Sequence, residues 1–345
     1  MKAAFINNHG NLEQIQVGEL DVPKIGPNEV LIEIKFAALN HLDLFILRGW
    51  PGLNLEMPHI IGADGAGIVK EIGSEVTTVS EGDRITINPG ISCGKCEMCL
   101  SGKQVFCKQF FILGEHQWGT YAQILKIPEI NVLKIPDNYP FDRAAAAPLT
   151  FLTAWRMLTT QAILKFNDYV FIHGAGGGVA SAAIQIAKLL GAKVITTTST
   201  PEKVEKARDL GADFVINYNE TKDYIKYVYD ELTKRNGIDV VIDSVGKATF
   251  STSIKLLSPG GRLITCGVTS GPFTKIDITN IFWKHLEIKG STMANQGEFR
   301  QVMKLVFNGE LTPTIDKVFP LEQVKEAESY LSEGTQFGKV LLKIG

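Results

Sequence analysis

Two stretches of this chain carry residue types at spacings that can do chemistry. The first holds Cys93, Cys96, Cys99 and Cys107 in the pattern C-x2-C-x2-C-x7-C. Four thiolates so close in sequence can complete a tetrahedral zinc shell without help from distant residues. Such a shell leaves no position open for water, so the ion would be structural. Lys95, Lys103 and Lys108 would offset the charge of a tetrathiolate. The other readings are four unrelated reduced cysteines or, in a hyperthermophile, disulfides. The second stretch is 168–203, DYVFIHGAGGGVASAAIQIAKLLGAKVITTTSTPEK. Its glycines permit a sharp reversal and let a phosphate approach the backbone. A helix that follows directly would offer free N–H groups and the positive end of its dipole to that anion. The better register of the motif is Ala175-x-Gly177-x-x-Ala180, which ends on a small residue that lets helix and strand pack closely. Ala175, Gly176, Gly177, Gly178 and Val179 are therefore expected to bind a dinucleotide.

The elements around the glycines must be a strand, a helix and a strand. Residues 169–173 are β-branched or aromatic apart from the last, as in a short buried strand. Val179, Ala183, Ile186, Ala187 and Leu190 recur at helical spacing, and Gly191 ends that helix. Residues 193–198 form the next strand. The alternation continues with strands at 214–218, 238–243, 261–266 and 286–290, helices including 201–210 and 249–257, and a closing helix at 296–307. Six strands with crossover helices predict a doubly wound parallel sheet. Residues 1 to about 90 read instead as short antiparallel strands between Gly, Pro and Asn turns. The C-terminal stretch returns to that style as strand, helix, strand. The fold class is thus α/β, with a discontinuous β-rich domain at 1–148 and 312–345, its cysteine lobe at 92–108, and the nucleotide-binding domain inserted at 149–311.

The 345 residues are 45% hydrophobic and 21% charged, with 35 Lys and Arg against 37 Asp and Glu. That balance offers no basic footprint for nucleic acid or an acidic membrane surface. The start, MKAAFINNHGNLEQ, lacks the apolar core of a signal peptide, and no run of 18 apolar residues occurs. Clustered cysteines suit a metal site in a reducing compartment. A cytoplasmic protein acting on a small molecule is expected, with no nucleic-acid or membrane partner.

With these motifs in place, the chain resembles the medium-chain dehydrogenase/reductase superfamily over nearly its whole length. The likeness rests on LNHLDLFILRG (39–49), IIGADGAGIVKEIGSEV (60–76), GDRITINPG (82–90), SCGKCEMCL (92–100), the glycine turn and FGKVLL (337–342). It implies a GroES-like catalytic domain, a Rossmann domain and nicotinamide-dependent hydride transfer. Within the superfamily the chain stands between zinc alcohol dehydrogenases and quinone oxidoreductases.

The resemblance also defines where a catalytic zinc would be held. The family's ligand positions read Asn40, Ala63 and about Leu149 here, and the hydroxyl of the proton relay is replaced by Leu42. Alanine and leucine cannot bind zinc, and an amide is a poor ligand beside a thiolate. Another set, such as Asp43, His59 and Asp64, is the alternative. Without a Lewis acid a developing alkoxide has no stabilising charge, whereas quinones and alkenes conjugated to a carbonyl accept hydride with less help. The catalytic candidates are Asn40, which would hydrogen-bond the carboxamide or the substrate, and Thr153, which resembles a residue near the nicotinamide.

For the cofactor, the second strand ends Thr196-Thr197-Thr198-Ser199-Thr200 with no acid to bind a ribose 2′-OH. Thr198, Ser199 and Lys203 would suit a 2′-phosphate, so NADPH is preferred to NADH. By resemblance, Tyr218 faces the adenosine, His41 meets the pyrophosphate, and Lys339 lies in a C-terminal segment at the cofactor. Val268, just past the fifth strand, is counted with these cofactor positions. His116, His173 and Cys266 read as structural. The function expected is NADPH-dependent reduction of a quinone or other activated carbonyl compound, with one structural zinc per chain. The alternatives are an alcohol dehydrogenase with an atypical metal site and a non-enzymatic nucleotide sensor. The strand at 286–290 resembles a dimer-forming edge, so a homodimer or homotetramer is expected.

Overall fold

The strand Lys193–Thr198 reads KVITTT, and every residue after its first is buried. Only a strand covered on both faces can hide β-branched side chains in sequence, and that is the signature of a parallel sheet. A computed structural model describes residues 1–345. It places this strand in a six-stranded parallel sheet ordered Phe214–Asn217, Lys193–Thr198, Tyr169–Ile172, Ile238–Asp243, Leu257–Thr265 and Glu287–Gly290. Numbered along the chain this is the Rossmann order 3-2-1-4-5-6. The third strand stops at Asn217, so Tyr218 lies just beyond it. The helix after the glycines runs Gly178–Leu189, and Gly191 follows it with φ 79°.

Contacts divide the chain into two compact units, Met1–Leu152 with Ala294–Gly345, and Thr153–Met293. The first unit carries a seven-stranded sheet. Its order is Ile315–Pro320, Lys339–Lys343, Glu29–Ala38, Asp64–Ile72, Arg84–Ile87 and Val132–Lys134, and Ile124–Pro128 also pairs with Glu29–Ala38. All pairings are antiparallel except that of the first two strands, which are parallel. The helix Val324–Glu333 connects that parallel pair. C-terminal strands thus complete a sheet begun near the N-terminus, and the β-rich domain is discontinuous. The helix Gln296–Phe307, which the sequence reading set with 149–311, packs in this first unit. Phe307 lies edge-on to Tyr139 at 5.1 Å and joins a core with Ala144 and Ala145. Helical periodicity shows which face of a helix is buried, but not which sheet covers it.

Candidate active site

The four cysteines converge. Cys93 follows the short strand Gly90–Ile91, Cys96 and Cys99 cap and build the helical turn Glu97–Leu100, and Cys107 ends the turn Gln104–Phe106. Their sulfurs lie within 4.8 Å of one another, with Cys96–Cys99 and Cys93–Cys107 at 3.6 Å and Cys93–Cys99 at 3.8 Å. Zinc–sulfur bonds in a regular tetrahedron put sulfurs about 3.8 Å apart. The donor set therefore fits zinc in both chemistry and size. Backbone N–H groups of Lys95 and Cys96 pull the Cys93 thiol down to about 6, while burial and the neighbouring sulfurs push Cys96 up to about 11.

In the second unit the glycine turn fits a diphosphate. Gly174 takes φ 68°, a left-handed conformation that favours glycine. Thr197 holds the turn from the neighbouring strand: its carbonyl accepts the Ala175 N–H at 2.9 Å and its hydroxyl oxygen accepts the Gly174 N–H at 3.1 Å. The helix Gly178–Leu189 begins at Gly177, which has no side chain to cap the first-turn N–H groups. Those donors stay available to an anion. Thr198 is buried, and Tyr218 donates its N–H to the Thr198 carbonyl at 3.0 Å. The carbonyl of Ser199 accepts from Asn219, and Thr200 caps the helix that carries Lys203. Thr198, Ser199, Lys203 and Tyr218 thus gather at the carboxyl ends of adjacent strands, where ligands of open α/β sheets bind. Val268 is exposed three residues past its strand. The sequence reading missed Thr197, although a hydroxyl residue facing the turn from the adjacent strand end is a usable signal.

In the first unit Asn40 lies at the centre of a buried cluster. It precedes the helix His41–Arg48, and its backbone N–H donates to Asp43 Oδ2 at 2.7 Å. The side-chain Nδ2 donates to the Ala38 carbonyl at 3.2 Å and to Asp64 Oδ2 at 3.0 Å. Oδ1 accepts from Lys339 Nζ at 2.6 Å. Lys339 also donates to the Leu39 carbonyl at 2.7 Å and to Asp64 Oδ2 at 3.1 Å. The other oxygen of Asp64 accepts the backbone N–H of Leu149 at 2.8 Å. Asp64 is 0% exposed and Lys339 5%. Positions 40, 63–64 and 149 do converge, then, on one carboxylate paired with one ammonium. Every polar atom of the Asn40 amide has a partner inside this cluster, and so do all three hydrogens of Lys339. The sequence reading assigned the first to substrate or carboxamide and the second to cofactor, and missed their pairing through Asp64.

His41 opens the helix beside Asn40. Burial, then the charges of Lys339 and Arg48, lowers its pKa and favours the neutral imidazole. Asp43, His59 and Asp64 do not gather as one ligand set. His59 is held by the Gly114 carbonyl at 2.9 Å, Asp43 by Asn40 and Tyr121, and Asp64 by Lys339 and Leu149. Thr153 is 4% exposed in the helix Pro148–Arg156, and its hydroxyl is buried without a hydrogen-bond partner.

Comparison with known proteins matches residues 26–137 to the alcohol dehydrogenase GroES-like domain and residues 178–308 to the zinc-binding dehydrogenase family. A zinc-type alcohol dehydrogenase-like protein of Schizosaccharomyces pombe is 32% identical, over 96% of this chain and 96% of its own length. The chain belongs to the medium-chain dehydrogenase/reductase superfamily, in its zinc-type alcohol dehydrogenase-like family. A solved structure described as an NAD-dependent alcohol dehydrogenase superposes with a TM-score of 0.96 at 42% identity, over the whole of both chains. An acryloyl-coenzyme A reductase of Sulfurisphaera tokodaii is 30% identical over 99% of this chain and 100% of its own.

The protein is thus an NAD(P)H-dependent oxidoreductase of this family. The nicotinamide cofactor, when bound, supplies or accepts the hydride. The glycine turn and first-turn N–H groups of Gly178–Leu189 would hold its diphosphate. No helix is long and apolar enough to cross a membrane. His173 is buried against Ser253, Nε2 to Oγ at 2.8 Å, and Ser253 donates to Asp243 at 2.8 Å. Burial pushes His173 down to about 4, so it is neutral and structural.

Proposed function

We propose that this dehydrogenase transfers hydride from NADPH to a quinone or to an alkene conjugated to a carbonyl, without a catalytic metal. One observation carries the reading. Of the three positions that the resemblance assigns to the catalytic ligands, Asn40 bonds Asp64 through its amide, Leu149 reaches it only through its backbone N–H, and Ala63 precedes it in the chain, while Asp64 itself is paired with Lys339. Such a donor set suits no zinc ion. A simple alcohol would therefore lack a Lewis acid for its alkoxide, and an electron-poor acceptor does not need one. The acryloyl-coenzyme A reductase relative supports the conjugated alkene as substrate class. The absence of an acid after Lys193–Thr198, with Ser199 and Lys203 beside that strand end, supports NADPH. The orphaned Thr153 hydroxyl supports contact with a ligand.

The test is steady-state turnover of a quinone and enone panel with NADPH, set against primary and secondary alcohols with NADP+ and NAD+. Each assay is run with and without a strong chelator. Reduction of quinones or enones that survives chelation is expected. Alcohol oxidation that disappears with chelator and returns with zinc would overturn the reading. It would favour a second one, an alcohol dehydrogenase, which the 42% identical structure supports.

We also infer a homodimer joined through Glu287–Gly290, the last strand of the parallel sheet. Antiparallel self-pairing centred on Ile288 sets Glu287 of one copy opposite Lys289 of the other, a favourable cross-strand pair. Ile278, Phe282 and Trp283 lie exposed just before that strand, an apolar area of the kind interfaces use. Sedimentation is expected to give a dimer or tetramer, and Trp283→Glu to shift it toward monomer. A wild-type monomer at micromolar concentration would refute the assignment.

A further inference from the structure

The cluster around Asn40 continues into a second set of buried groups. Tyr121 is 0% exposed, and its hydroxyl lies 3.0 Å from Asp43 Oδ2 and 2.9 Å from Glu328 Oε1. A phenol has one hydrogen and can donate to only one of these carboxyls. The other must donate to the phenol oxygen, or two anions share one hydroxyl in the core. Asp43 already accepts the Asn40 N–H at 2.7 Å, so it is the better-solvated anion. Glu328 has no other donor, and its Oε2 is buried without a partner, as is Asp43 Oδ1.

The surrounding charges do not relieve it. Lys339, on Lys339–Lys343, is the cation acting on both carboxyls, but its three hydrogens are spent on Leu39, Asn40 and Asp64. Asp64, on Asp64–Ile72, adds negative charge beside Asp43. Elsewhere on Val324–Glu333, Lys325 pairs with Glu13 at 2.9 Å and Tyr330 bonds Asp316 at 2.6 Å, each a closed pair.

We propose that Glu328 is held as a neutral acid that donates to Tyr121, which in turn donates to an ionised Asp43, and that this chain of hydrogen bonds fixes Asn40 and the first turn of His41–Arg48 in place. The hydrogen-bond order is Glu328 to Tyr121 to Asp43, with the Asn40 N–H arriving from the other side. Glu328 is thus a positioning residue, acting through Tyr121 and Asp43 on the first turn of His41–Arg48. It touches no reacting atom.

Burial, then the Asp43 charge, raises Glu328 well above the ordinary glutamate value of 4.5, and burial raises Asp43 to about 7. Stability from this cluster is complete below the unfolded pKa and is lost as pH rises through the folded one.

The test uses the full-length protein and two readouts. Difference infrared spectra of the wild type should contain the carbonyl stretch of a protonated carboxyl at neutral pH, absent in Glu328→Gln. Glutamine keeps a neutral donor to Tyr121, so the variant should lose much of the wild type's fall in unfolding midpoint as pH rises above the ordinary glutamate value of 4.5. The alkaline limb of the activity profile should move to higher pH with it. A wild-type spectrum without the band, or a variant with the wild-type pH dependence, overturns the proposal. Should Glu328→Gln not fold, Asp43→Asn decides: a band that survives in it belongs to Glu328, and a band lost with Asp43 overturns the proposal. Failure of the substrate reading would leave both signals in place.

Discussion

Purified, tag-free protein is expected to carry about one zinc per chain by elemental analysis, with Cys99→Ser or Cys107→Ser reducing this to near zero. Both cysteines are buried, and each supplies one corner of a sulfur tetrahedron. The lobe around them has little else to hold it. Leu100 and Phe106 are exposed, and its regular structure is two single turns and one two-residue strand pairing. In small zinc sites the bound ion contributes about 10–16 kcal/mol, nearly all of the folding free energy. Loss of one thiolate should therefore unfold the lobe, read as new protease cleavage within 92–108, while the parallel sheet of the second unit remains folded. A value near two zinc ions per chain would count against the metal-free reading of Asn40, Ala63 and Leu149.

Lys339→Met is expected to cost about 3–5 kcal/mol of stability, because it strands Asp64 as an unpaired buried carboxylate. It also removes the donors to Asn40 Oδ1 and to the Leu39 carbonyl. The double variant with Asp64→Asn should recover a large part of that loss, since an amide needs no counter-charge and can still accept from Leu149. Denaturant unfolding of the two single variants and the double variant measures the coupling directly. Additive losses would mean that the pair is not interacting as its 3.1 Å separation indicates.

The comparison between chain and fold is clearest at the apolar stripe of Val324–Glu333. Its buried positions are Val324, Ala327, Glu328 and Leu331, the spacing of one helical face. A glutamate on that stripe is a visible anomaly in the sequence. Its partner Tyr121 is 207 residues away, and nothing near either residue names the other. Asp43 is different, because an acid three residues into a helix reads as a capping residue, and it does cap Asn40. Its second role, accepting from Tyr121, came only with the fold.

What the sequence determined by itself is local. The cysteine lobe spans 15 residues from Cys93 to Cys107, and the glycine turn with its flanking strand and helix spans 21 from Tyr169 to Leu189. Their chemistry follows from spacing, because a short chain segment cannot carry those residues far apart. The alternation of strand and helix is local as well, and with the handedness and adjacency rules it specifies a doubly wound sheet. Only the tertiary structure decided which charges meet. Lys339 and Asp64 are 275 residues apart, and they are brought together because Lys339–Lys343 and Asp64–Ile72 flank Glu29–Ala38 in one sheet. Side-chain pairing across neighbouring strands depends on register, which no single segment encodes. For the same reason the residue types at 40, 63 and 149 were legible one by one, but the ammonium and carboxylate that meet beside them were not.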